Sequence, residues 1–352
     1  MSDPRTGADA LDLDLVDGFR FTCRPDCGLC CYAEPRVEPD EATRLLQIAP
    51  ATSFRRHGRD RFLSSRPEGG ACQFLVDGRC GVHAARPHPC REYPVTAHVG
   101  PRLQATVILS CPGIDLAPLR SGGVAGALRS TGGLAAEVAS LVERVDAGTT
   151  ARQAAAVRRG RKVERRLTEE GRWIDDDTVR AELGAAVPLP GADLFPPPEP
   201  PARDEGLERL PFFFDQRPGP VAVARALGGW ELLELAPKGG ARSLGVLVPP
   251  ERPPRLDASA RRLLEGYLRY VLARDAFLAS VHLEMLEGRD GSVRDWVESA
   301  LLELGAEVLG RASVRAKLAG RDARELTEGD IERGIRATDQ DWLDRPTWGD
   351  RL

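Results

Sequence analysis

The sequence predicts an α+β chain: a cysteine-rich, metal-centred N-terminal domain, then helices and a small antiparallel sheet packed with long helices. Three observations carry this expectation. All eight cysteines lie between Cys23 and Cys111, and nothing after Cys111 is a cysteine. Four strand-like runs, Leu210 to Phe214, Val221 to Leu227, Trp230 to Leu235 and Ser243 to Val248, are separated by breaks too short for crossover helices, which leaves an antiparallel meander. Two long helical patterns follow, from Ala258 to Glu287 and from Val293 to Leu309, with Asp257 and Ser292 as caps and Gly288 as a stop.

The cysteines concentrate in the knot Cys23-x3-Cys27-x2-Cys30-Cys31, followed by Cys72, Cys80, Cys90 and Cys111. Thiols three and four residues apart converge within one helical turn or tight loop, which a metal centre requires and a disulfide does not. Asp26, Cys27 and Gly28 add a turn signal, and Gly28 lets backbone come close. All eight cysteines are therefore candidate ligands, of one or two iron–sulfur clusters of the 4Fe-4S type, or alternatively of zinc. Adjacent Cys30 and Cys31 point apart on a helix or strand, so two centres that divide at this pair are expected if every thiol ligates. Arg86 and Arg91, beside Cys90, would offset thiolate charge or donate to cluster sulfurs. His83 and His88 are not needed as ligands.

Two other readings compete. Four disulfides would suit a small secreted scaffold, but Met1-Ser2-Asp3-Pro4 opens no secretory leader and 352 residues can build a core without staples. Eight merely buried thiols would not confine themselves to one third of the chain.

Composition bounds the rest. The chain is 42% apolar and 29% charged, with a net charge of -4, so no global basic field invites nucleic acid. No run is long enough to span a bilayer, and a cytoplasmic location is expected. The partner, whether protein or small molecule, is unknown from sequence.

In chain order, Leu11 to Leu15 alternates as a short strand, and Pro39 opens a helix to about Ile48. Arg55 to Gly70 is charged and reads as an exposed loop. Cys72 to Cys80 forms a hairpin about Asp77-Gly78, bringing Cys72 and Cys80 together. Arg86 to Pro94 carries too many prolines for regular helix. Two strands, Thr96 to Val99 and Leu103 to Leu109, lead to Cys111. Helices follow over Leu134 to Val145, from a Thr149-Thr150 cap to about Glu170, and from Asp175 to about Ala186. The second carries Arg152, Arg158, Arg159, Arg161, Lys162, Arg165 and Arg166, read as a solvated face. Pro188 to Pro201 is proline-rich, and Thr327 to Asp330 opens a short last helix. The expected division is 15–118 for the cysteine-cluster domain, 119–187 helical, 188–204 linker, 205–338 meander plus helices, and 339–352 tail, whose Trp342 and Trp348 can dock on the body.

The knot, Cys72-Gln73-Phe74-Leu75, Cys80-Gly81-Val82-His83, Arg86-Pro87, Cys90-Arg91-Glu92-Tyr93-Pro94 and Cys111-Pro112-Gly113-Ile114 together resemble the YkgJ-like cysteine-cluster family over roughly residues 19 to 118. That family is described as zinc- or iron-chelating, and a related cysteine pattern occurs in flagellin lysine methylases. His83 stands where the family usually has tyrosine, and the first spacing is x3 where many members have x2. The resemblance implies metal ligation by the eight cysteines and a supporting place for Tyr93. It also makes an iron–sulfur-dependent protein-modifying enzyme, such as a protein lysine methylase, or a zinc-stabilised interaction module, alternatives to a redox, sensing or structural iron–sulfur protein. No nucleotide-binding, zinc-peptidase or serine-hydrolase motif is present, and no catalytic residue is identified from the sequence.

Overall fold

A computed structural model describes residues 11–24, 27–32, 34–58, 60–66, 70–121, 133–195, 200–205, 212–213, 221–248, 251–287, 290–343, 345 and 347–349. The expected turn at Asp26, the break between the first two strand-like runs at residues 214–220, and the stop at Gly288 lie outside these residues.

The N-terminal third forms small sheets. β1 (Leu11–Asp12) pairs in parallel with β8 (Leu103–Val107), which pairs antiparallel with β7 (Val95–Val99). β2 (Arg36–Val37), β3 (Phe54–His57) and β4 (Asp60–Leu63) form a second antiparallel sheet, in the order β2-β4-β3. The expected exposed loop from Arg55 is thus in part a hairpin. Its strands are short and arginine-rich, so only Phe54, Phe62 and Leu63 carry an apolar signal. β5 (Leu75–Val76) and β6 (Arg79–Cys80) form the expected hairpin, with Asp77 at φ 47° and Gly78 at φ 73° as its two-residue turn. The helix α1 (Pro39–Leu45) starts at the proline.

A helical turn, α2 (His88–Glu92), stands where the prolines argued against helix. Pro89 occupies its first turn, where the missing N–H costs nothing. Short α3 (Ala117–Arg120) and α4 (Ala135–Val142) precede the long α5 (Ala147–Glu169), whose cap is Asp146 rather than a threonine: the Asp146 carboxylate accepts from the Thr149 N–H at 2.8 Å. α6 (Asp176–Ala185) is capped by Asp175.

The meander is as expected, in the order β12-β11-β10-β9: β9 (Phe212–Phe213), β10 (Val221–Ala226), β11 (Gly229–Leu235) and β12 (Ala241–Leu247), all antiparallel. One face, with Val221, Val223, Trp230 and Leu232, packs on Val314 and Ala337 of the helices that follow. β13 (Arg255–Leu256) pairs in parallel with β14 (Glu325–Leu326).

The expected helix from Ala258 to Glu287 is two, α7 (Ala258–Ala273) and α8 (Asp275–Met285), divided at Arg274, whose backbone is extended (φ -74°, ψ 122°). α9 (Val293–Leu318) outruns its expected end, and α10 (Glu328–Leu343) is sixteen residues long and continues through the expected tail boundary at Asp339. Both extensions are polar in sequence and helical because of what they pack against. Arg274 is wholly buried and binds Asp339 of α10 at 2.7 Å and the Val107 carbonyl of β8 at 3.1 Å. Asp339 also accepts the Leu109 N–H at 2.8 Å, and the Tyr270 hydroxyl accepts the Val107 N–H at 2.7 Å. These ties lock α7 and α10 onto the strand that leads to Cys111.

One apolar core runs from Leu11 through β7, β8 and α3 to α6 and into α7, α8, α9 and α10, and it includes Phe195 of the proline-rich stretch. At the α3–α7 crossing the backbones nearly touch: a Cβ on Gly266 would meet the Leu119 carbonyl. Trp348 is buried, facing Gly160 of α5 and stacked 5.1 Å from His282. The cysteine knot has only a small satellite core: Val37, Ala42, Leu45, Leu63 and Cys72.

Candidate metal centre

The knot folds as a loop closing into a 3-10 turn over Leu29–Tyr32. Gly28, at φ 60°, supplies the left-handed step, and its carbonyl accepts the Cys31 N–H at 3.0 Å. A side chain at Gly28 would press on Leu75 of the hairpin at 3.2 Å, so the glycine lets the knot lie against β5.

Backbone hydrogen bonds fasten the knot at both ends. Ahead of Cys23, the Thr22 N–H donates to the Gly113 carbonyl (3.0 Å) and Asp115 N–H to the Arg20 carbonyl (3.0 Å), laying this strand beside the Cys111 loop. At the other end the Cys72 N–H donates to the Cys31 carbonyl at 2.6 Å. Cys90 sits on α2, and Cys80 ends the hairpin. Cys23 and Cys30 are exposed, Cys72 and Cys111 buried, and the other four half-buried.

Each thiol feels the charge of others in the set. Cys23 and Cys27 interact with each other and with Cys30, and Cys111 with Cys27 and Cys30. Cys31 interacts with Cys72 and Cys80, Cys72 with Cys80, and Cys90 with both. Cys30 reaches into the second group as well. The neighbours Cys30 and Cys31 are consecutive on a tight turn, and their thiols act strongly on each other. The interaction between the two, with Arg86 nearby, pulls the Cys30 thiol down to about 7 and holds Cys31 up. Burial pushes Cys111 up to about 12 and raises Cys23, Cys27, Cys72 and Cys90, each also raised by neighbouring thiolates. Eight mutually repelling, partly desolvated thiolates are stable only if cations or protons neutralise them, and a thiophilic metal supplies that charge where protons otherwise must. Among the described residues no three side chains already converge at metal-ligand spacing.

Three arginines serve this cluster. Arg86 acts on Cys30, Cys23 and Cys90. The Arg66 guanidinium grips the carbonyls of Cys72 (3.0 Å), Gln73 (3.1 Å) and Leu75 (2.9 Å), and its loop is tied to the tip of the β11–β12 hairpin through Ala71 N–H to the Pro237 carbonyl (3.1 Å). Arg336 of α10 does the same around Cys111, donating to the carbonyls of Leu109 (3.1 Å), Cys111 (2.5 Å) and Ile114 (2.8 Å). Sequence reasoning missed Arg66 and Arg336, because neither lies beside a cysteine in the chain and many arginines compete for notice. Tyr93 is half-buried against the main core near Cys111, and its hydroxyl is raised by burial and by the cysteines. Tyr32, also missed, is pushed up to about 12 by burial and by Cys31.

Arg91 is placed otherwise: its guanidinium faces the buried Glu41 at 3.9 Å. His88 faces Glu41 and Glu92, and its ring meets the Ser140 hydroxyl at 3.3 Å. His83 is exposed. Burial raises Glu92 to about 7 despite Arg144 at 3.1 Å.

Residues 22–110, about a quarter of the chain, match the CxxCxxCC family model, "Putative zinc- or iron-chelating domain". This agrees with the resemblance read from the motifs: the matched span holds seven of the eight cysteines and ends one residue before Cys111, and its description admits both zinc and iron. No curated protein and no solved structure matches the chain. No helix among the described residues is long and apolar enough to cross a membrane.

Proposed function

We propose that this protein is an iron–sulfur protein whose cysteines at 23, 27, 30, 31, 72, 80, 90 and 111 hold its metal, in a redox, sensing or structural role. The observation that carries the reading is the donor set: the candidate metal donors of this region are eight free thiols, while the nearby imidazole of His88 is engaged by carboxylates and a hydroxyl. The residues fit such a group. Gly28 keeps the knot's backbone close, Arg86 offsets thiolate charge, and Arg66 and Arg336 hold the backbone at Cys72 and Cys111 by binding its carbonyls. When bound, an iron–sulfur cluster supplies one-electron transfer or a sensitive structural clasp.

Cys30, exposed and ionised near neutral pH, offers the first thiolate for capture, and the raised thiols lose their protons on binding. Zinc is the second reading, favoured by an all-thiol set of eight, enough for two sites of the four ligands a structural zinc takes. Anaerobic purification decides between them. Iron with acid-labile sulfide and visible absorption is the expected result, and a colourless protein holding stoichiometric zinc overturns it.

A further inference from the structure

The backbone ties on either side of the knot fall into two sets, and the two arginines that clamp carbonyls, Arg336 and Arg66, fall into the same two, while Arg86 lies near thiols of both. One set joins the approach to Cys23 with the Cys111 loop through Thr22 and Gly113, and Arg336 clamps that loop from α10. The other joins Cys31 to Cys72, and Arg66 clamps the chain from Cys72 to Leu75. Apolar packing divides likewise. Cys72, Cys31 and Cys90 share the satellite core, whereas Cys111 and Tyr93 belong to the main core.

We propose that the eight cysteines form two four-thiolate metal centres, Cys23, Cys27, Cys30 and Cys111 holding one and Cys31, Cys72, Cys80 and Cys90 the other. The proposal rests on the metal-binding reading above and adds the number of centres and the membership of each. The Leu75–Cys80 pairing of the β5–β6 hairpin sets Cys80 beside the Cys72 segment, and Cys23 and Cys27 precede the turn on the side fastened to the Cys111 loop. Because Cys30 and Cys31 are consecutive in the 3-10 turn, the two centres would adjoin there. Each lobe is closed by an element distant in sequence: Cys111 by α10, Cys72 by a loop that touches the β11–β12 hairpin. Loading both centres would clasp the small N-terminal sheets to the rest of the chain.

The test compares double variants of the full chain after anaerobic reconstitution with iron and sulfide, and separately with zinc alone, reading metal per chain and visible absorption. The unmodified protein should hold two centres. Cys111→Ser and Cys80→Ser should each retain half the metal. The same-lobe double variant Cys23→Ser/Cys111→Ser should still retain half, whereas the cross-lobe double variant Cys80→Ser/Cys111→Ser should retain none. Circular dichroism verifies that α7, α9 and α10 remain folded in each variant. If same-lobe and cross-lobe doubles lose metal equally, or if one single substitution removes all of it, the division is wrong while metal binding stands. If the unmodified protein takes up neither iron nor zinc, the metal-binding reading fails and this one with it.

Discussion

The cysteine knot and the helical half are stabilised by different means. Around α7, α9 and α10 the interior is filled by fully buried side chains such as Leu263, Leu264, Leu304 and Ile335, and a buried ion pair there, Arg274–Asp339, is tied further to the Val107 carbonyl and the Leu109 N–H. At the knot the satellite core is a handful of residues, and chain is held mainly by backbone hydrogen bonds and arginine clamps. A packed core folds on its own apolar surface, whereas a knot with few buried methylenes needs another source of free energy. The boundary between the two does not follow the cysteines. β7, β8 and Cys111 are built into the main core, while Cys31, Cys72 and Cys90 are not.

Removing metal should break the comparison most sharply. Structural thiolate sites contribute on the order of 10 kcal/mol to folding. With a chelator, amides of residues 27–45 and 70–92 should lose protection from hydrogen exchange, while those of β8, α7, α9 and α10 keep theirs. Equal loss in both regions would mean one cooperative unit, and unchanged protection at the knot would mean that metal is not its support.

Next in size is the buried pair. Asp339→Ala strands Arg274 and the Leu109 N–H in the core and should cost about 3–5 kcal/mol, read by denaturant unfolding. Because Asp339 ties α10 to the strand before Cys111, this loss should appear with or without metal. A loss under 1 kcal/mol would show the pair to be dispensable to the main core.

Arg336→Met tests the link between the regions. It leaves the carbonyls at 109, 111 and 114 without their donor, at about 1–3 kcal/mol for each one not reached by water. Exchange should quicken at residues 109–115 and stay unchanged at 72–80. Arg66→Met should give the reverse pattern.

The smallest effect is at the start of α10. Asp330 is buried by its residue exposure, which raises its carboxyl, yet Arg321 and the Thr327 hydroxyl and N–H outweigh this and hold it below the usual carboxylate range. A depressed folded-state value stabilises the helix start above the unfolded value of about 3.9, and that stability is lost as pH falls through the lower folded value. Protection of residues 328–332 should therefore fall only below about pH 4. Asp330→Asn should remove the dependence while leaving the knot unaffected.

The sequence by itself determined whatever depends on neighbours in the chain. The Cys23 to Cys31 knot, the Asp77-Gly78 turn, the meander with its glycine breaks and the Thr327 to Asp330 helix start are all set by local spacing, positive φ or capping, and all were legible. Tertiary structure alone decided the rest. Arg274 breaks one long amphipathic pattern into α7 and α8 because its guanidinium must reach Asp339, 65 positions away. The last stretch of α9 and the polar course of α10 are helical because they bury Val314, Ala337 and Arg336 against the sheet and the Cys111 loop. Which thiols face one another, and that Arg66 and Arg336 rather than Arg91 support them, follows from contacts between distant segments. Spacing along a chain limits which ligands can converge, but the packing of elements far apart in sequence decides which of them do.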